Sequence, residues 1–249
     1  MPPAPLPPEE RTVGQLVAET IRFYGSHFAR ALPLGIVVAG VNQLQLERSR
    51  EQTAAVLVLA APVFTLAYAY ASQLATGSRA SARSWFVALG VGTLVFVPAA
   101  LLFPWFALAG VLWLALVGLS VPAAIAEGAS FTGSLRRGLE LGRAGYVHAA
   151  GSLATLVVVF VLTRVGLALL LESQAENTVR TAIFLADTVL APLLFLGGAL
   201  LYVDQEARLR SQGERGKERD AHVPDAVDTH REGDPDPARE SRTPPGGQP

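Results

Sequence analysis

The sequence predicts an all-α fold: a polytopic membrane bundle of about six transmembrane helices with cytoplasmic amphipathic helices attached. Three observations carry this reading. Residues 84–126 run for forty-three positions without a charged side chain. A bilayer span takes ~20 apolar residues, so this run holds two spans back to back. Four more long apolar runs flank it, and arginine is distributed very unevenly among the connections between them.

Residues 1–10 are Pro-rich and read as a disordered N-terminus. A helix is expected to start at Thr12, because Thr12 followed by Gln15 fits a capping box. Val13, Leu16, Val17, Ile21, Tyr24 and Phe28 then recur at helical spacing, so residues 11–30 form an amphipathic cytoplasmic helix. It lies either on the membrane surface or against the bundle. The transmembrane domain covers 31–206. Its spans fall at about 31–46, 53–75, 85–103, 105–126, 146–171 and 181–203, with Pro98 and Pro104 near the re-entry between the third and fourth. Trp85, Trp105, Tyr146 and Tyr202 fall near span ends, as interfacial aromatics do, whereas Trp113 does not. Residues 207–249 carry eight basic and nine acidic side chains and few large apolar ones, which predicts a disordered cytoplasmic tail.

Orientation follows from the connections. The N-terminal segment, the second and fourth loops and the proximal tail hold thirteen Arg and Lys, and the opposite side holds three: Arg48, Arg50 and Arg180. Six spans with both termini cytoplasmic satisfy this bias. The fourth loop, 130–145, is itself long enough for a basic amphipathic helix.

Composition narrows the chemistry. There is no cysteine, so disulfides and thiolate chemistry are excluded. The formal net charge of −1 gives no field for nucleic acid. His27 and His148 begin spans without Asp or Glu at ligand spacing, so no metal site is expected and no cofactor is implied. No nucleophile elbow, P-loop or dinucleotide fingerprint is present.

The most pointed candidates are Arg164 in the fifth span and Asp187 in the sixth. A charge inside a span is costly and marks either a register-fixing pair or a ligand site. The intervening loop centres near Glu176, with Arg164 twelve residues before it and Asp187 eleven after. In an antiparallel hairpin the two reach the same depth, so an intramembrane ion pair is expected. At the cytoplasmic face Glu127, Arg136, Arg137 and Arg143 are candidates to face lipid, Glu127 pairing with the basic helix or touching a headgroup. Pro62, Pro98, Pro122 and Pro192 interrupt spans, as in transporters and in ordinary membrane helices alike. Gly35, Gly40, Gly90 and Gly92 suit close helix packing.

The segments TVGQLVAETIRFYGSHFARAL, VPAAIAEGASFTGSLRRGLELGRAGYVHAAG and LLYVDQEARLR resemble a family of bacterial membrane proteins. It is the family related to the membrane domain fused to some glycerophosphoryl diester phosphodiesterases. The resemblance covers about residues 11–210. It implies six helices in the plasma membrane with cytoplasmic termini. It supplies no catalytic residue, since hydrolysis in the fused enzymes belongs to a barrel absent here. The expected function is therefore a non-enzymatic module that anchors or regulates a membrane protein partner in envelope or lipid metabolism, with anionic lipid at its cytoplasmic face. A small-solute or lipid permease is the alternative.

Overall fold

The structure is a computed structural model that describes residues 11–221, with side chains through residue 214. Nine helices are present among the described residues, and no strand. They are α1 Val13–Ser26, α2 Phe28–Leu44, α3 Arg50–Thr76, α4 Ala82–Leu102, α5 Ala107–Val117, α6 Ser120–Glu127, α7 Phe131–Ala144, α8 Tyr146–Leu170 and α9 Glu176–Ala221. The chain divides into a bundle unit, Met1–Leu209, and a second unit, Arg210–Pro249, described only where it continues α9. The segment 1–10 lies outside the described residues.

By length and composition five segments suit a membrane crossing: α3, α4, the α5–α6 stretch, α8 and α9. Helix α2 has 17 residues. That is about 26 Å, shorter than a hydrocarbon core of ~30 Å. The all-α membrane bundle is therefore seen, with five full-length spans and one short apolar helix.

Local chemistry sets the helix ends. Thr12 accepts from the Gln15 backbone N–H, and the Gln15 side chain accepts from Thr12, completing a capping box. Ser49 and Gln52 repeat it at α3. Ser81 and Ser130 cap α4 and α7. The re-entry between α4 and α5 occupies residues 103–106, around Pro104, while Pro98 sits inside α4.

The fourth span departs from the expected continuous helix, because α5 ends at Val117 and α6 starts at Ser120. Pro122 has no N–H for the carbonyl four residues earlier, which is Gly118. Val121 N–H bonds that carbonyl instead, at 3.4 Å, and the chain steps before resuming. The tail departs too. Residues 207–221, expected to be disordered, continue α9. The stretch is rich in Arg and Glu, good helix formers, and extending an existing helix is far easier than nucleating one. The rest of that tail lies outside the described residues.

Helix α9 supplies buried side chains to both main core clusters, Phe195 and Leu196 to one and Leu201 and Tyr202 to the other. Close approach makes this possible. A Cβ on Gly35 would collide with the backbone of Thr188, so α2 and α9 touch main chain to main chain. Gly40, by contrast, has open space around its Cα. Helix α1 buries Leu16, Thr20 and Tyr24 and packs against α8, which favours contact with the bundle for its apolar stripe. Helix α7 presses Gly138 and Gly142 onto α6 and α5, where a Cβ would strike the backbones of Ser120 and Leu116. Trp113 is held inside the bundle, its indole N–H donating to the Val95 carbonyl at 2.9 Å.

Candidate functional site: a polar-ended cavity and a buried clasp

Arg164 and Asp187 meet. Arg164 Nε lies 3.2 Å from Asp187 Oδ1, and Asp187 is fully buried while the Arg164 side chain is 30% exposed. The contact is an ion pair rather than an aligned hydrogen bond, since Oδ1 has no hydrogen-bond partner among the described residues. The other oxygen, Oδ2, accepts from Asn42 Nδ2 at 2.8 Å. The Arg164 guanidinium also lies over the Phe160 ring, 5.8 Å from its centre. One acid on α9 is thus read by α8 and by α2. Two further contacts tie α9 to the end of α2 and to the α2–α3 loop: Gln43 donates to the Arg180 carbonyl at 3.3 Å, and Arg180 bridges Glu47 and Glu176.

Asn42 and Phe160 also line a cavity of about 400 Å³. Its wall is otherwise mostly apolar, with Val38, Leu57, Phe96, Val157 and Leu194 drawn from five helices. Asn42, Gln45 and Thr53 give one end most of its polar groups, and the Tyr68 hydroxyl belongs to the other end. Along α3 the lining runs from Thr53 to Tyr68. That is about 23 Å of helix, more than the ~15 Å depth of one bilayer leaflet. Val161 lines the cavity and is itself exposed on α8, so only the width of this helix separates the space from the outer face of the bundle. The ion pair expected from the sequence thus meets the polar residues at and just beyond the end of α2, through Asn42.

The other end of α9 is built differently. Tyr202 OH donates to Glu127 Oε1 at 2.9 Å, and Arg137 Nε donates to the same oxygen at 3.0 Å. Partial burial alone would lower the Arg137 pKa. The hydrogen bond to Glu127 and its charge outweigh that, and the guanidinium sits above its ordinary value. Two residues on, Asp204 is fully buried and meets Arg11 Nη1 at 3.0 Å. Gln205 donates to the Gly145 carbonyl at 3.2 Å. Leu16, Leu141 and Tyr202 pack beside these contacts with no more than 1% exposure. The clasp joins the segment before α1, the end of α6, helix α7 and α9.

Of the four cytoplasmic-face candidates, Glu127 and Arg137 are brought together. Arg136 turns outward to Glu140 at 2.9 Å. Arg143 is exposed, with no ion pair among the described residues. Asn42, Arg11 and Tyr202 are contact partners of these groups that spacing did not single out. Asn42 carried one signal, as an amide at the end of an apolar helix. Arg11 carried none. Among the described residues no group of three or more His, Asp or Glu is placed to hold a metal ion.

No family model, curated protein or solved structure shows significant similarity to this chain.

Proposed function

We propose that this chain is a non-enzymatic, multi-pass plasma-membrane module that takes an acyl chain of a membrane lipid into its bundle, and so acts in lipid handling of the permease type. The observation that carries the reading is the cavity: apolar over most of its wall, with most of its polar groups at one end, longer than a leaflet is deep and walled on one side by α8. A lipid chain matches each property, whereas a small polar solute would leave the apolar wall without a use. The relation to the membrane domain of glycerophosphoryl diester phosphodiesterases belongs to the same proposal.

The test is lipid analysis of the purified full-length protein. Val157→Trp, which fills the lined space, is expected to reduce co-purifying lipid severalfold without loss of monodispersity. Equal lipid in the wild type and the variant would remove the basis of the reading.

A second reading, an anchor or regulator of a membrane protein partner, is favoured by one observation. Arg136, Glu140 and Arg143 form an exposed charged face on α7 that the bundle does not use. A pull-down from native membranes with α7 charge reversal tests it, and an unchanged set of co-purifying proteins counts against it. For orientation, both termini are proposed to be cytoplasmic. The chain lacks cysteine, so single cysteines at Arg180 and Arg79 should label from outside and inside respectively.

A further inference from the structure

Resting on the lipid-handling reading, we infer that the polar end of the cavity is a headgroup site for a phosphate-bearing lipid, with the terminal nitrogens of Arg164 as its anion contact.

A guanidinium carries five N–H donors in a planar fork. At Arg164 the contact to Asp187 is made by Nε, and no hydrogen bond among the described residues engages Nη1 or Nη2. The side chain is partly exposed, so that edge of the fork is accessible. A phosphate offers two oxygens at the spacing the fork reads, which makes Arg the natural partner for such a group.

Arg164 and Asp187 do not line the cavity themselves, and three features relate the donor edge to it. Phe160 lies under the guanidinium and lines the cavity. Asn42 holds Asp187 and lines it as well. Asp187 fixes Arg164 from the buried side, which keeps the long side chain from swinging away along the outer face of α8. Depth fits a headgroup too. Asn42 is two residues from the end of α2, about 3 Å, and Arg164 is six from the end of α8, about 9 Å. The site is therefore near the interface at the α2–α3 loop and recessed beneath the α8–α9 loop.

Asp187 also opposes the proposed ligand. Its carboxylate already neutralises much of the Arg164 charge, so selectivity for phosphate should be moderate. About tenfold is the scale of a single charge-assisted contact. Free inorganic phosphate lacks the chain that fills the cavity and should bind poorly.

The experiment uses the full-length protein in detergent with three probes: a fluorescent single-chain alkyl phosphate, the matching alkyl alcohol and inorganic phosphate. The expected result is an alkyl phosphate preferred about tenfold over the alcohol, with inorganic phosphate failing to compete. Arg164→Gln should abolish the preference while alcohol binding stays, and Arg164→Lys should restore part of it. Val157→Trp should weaken both chain-bearing probes. If Arg164→Gln leaves the preference intact, the headgroup inference is overturned and the cavity reading stands. If Val157→Trp changes neither chain-bearing probe, the cavity reading fails and the inference with it. If inorganic phosphate competes as well as the alkyl phosphate, the site is an ion site and the lipid inference is overturned. Size-exclusion profiles and unfolding temperatures of all variants separate loss of binding from loss of fold.

Discussion

Asp187 and Asp204 lie on one helix, seventeen positions and about 25 Å apart. Both are fully buried, both meet an arginine, and each has one carboxylate oxygen without a hydrogen-bond partner among the described residues. Their surroundings differ. Asp204 sits in close packing, with Leu16, Leu141 and Tyr202 almost wholly buried nearby and the Arg11 side chain 15% exposed. Asp187 sits beside a cavity, with an arginine twice as exposed. The same two residue types therefore do different work. Where the packing is closed, the pair holds elements together. Where it is open, the pair presents a charge. The neighbours decide which, since a buried pair by itself is weak evidence of either role.

Breaking the two acids in turn tests the contrast. Asp204→Ala should have the largest effect, because it removes a fully buried acid that Arg11 meets in a closed site. Breaking a buried pair costs about 3–5 kcal/mol. Thermal unfolding of the detergent-solubilised protein measures it, and a change below about 1 kcal/mol would show that the clasp does not hold the fold. Asp187→Ala should cost less, about 1–2 kcal/mol, because Arg164 can turn outward along α8 toward the interface. The same variant should lose much of the alkyl-phosphate preference, since Asp187 no longer holds Arg164 beside the cavity. Equal destabilisation by the two substitutions would collapse the comparison. Exchanging the charges, Arg164→Asp with Asp187→Arg, should recover at least half of the stability that either single exchange loses.

The contrast also divides what could be read from the chain alone. Arg164 and Asp187 are joined by a short hairpin, so counting outward from Glu176 brings them to one depth. Glu127 and Arg137 are ten residues apart across a tight connection, and proximity again suffices. Arg11 and Asp204 are 193 residues apart. No local pattern links them, because their meeting depends on how α1 docks on the folded bundle. The cavity was equally hidden. The spans are apolar all round, so periodicity does not say which faces meet or where they fail to fill space. The break at Gly118 had its cause in view, at Pro122, but prolines in membrane helices are often absorbed without a break. The helical start of the tail has few core-forming residues to mark it, whereas a helix already in progress needs none.

The smallest effects come from two neighbours on α7, and they sharpen the same distinction at the surface. Arg137 is 28% exposed and donates to Glu127, which also accepts from the buried Tyr202. Arg136 is 84% exposed and pairs with Glu140 one turn away on its own helix. Arg137→Ala removes one of two donors to a shared carboxylate and loosens α7 from α6 and α9, so about 1–2 kcal/mol is expected. Arg136→Ala removes an exposed pair within one helix, worth under about 0.5 kcal/mol. In the proposed orientation Arg136 adds charge at the membrane surface, where each basic residue attracts anionic lipid by about 1 kcal/mol. The two variants should therefore separate by readout. Arg137→Ala lowers the unfolding temperature and leaves the recovery of anionic lipid with the purified protein nearly unchanged. Arg136→Ala lowers that recovery and leaves the unfolding temperature nearly unchanged. If both shift the same quantity by the same amount, α7 is one undivided basic surface, and the assignment of Arg137 to the clasp is wrong.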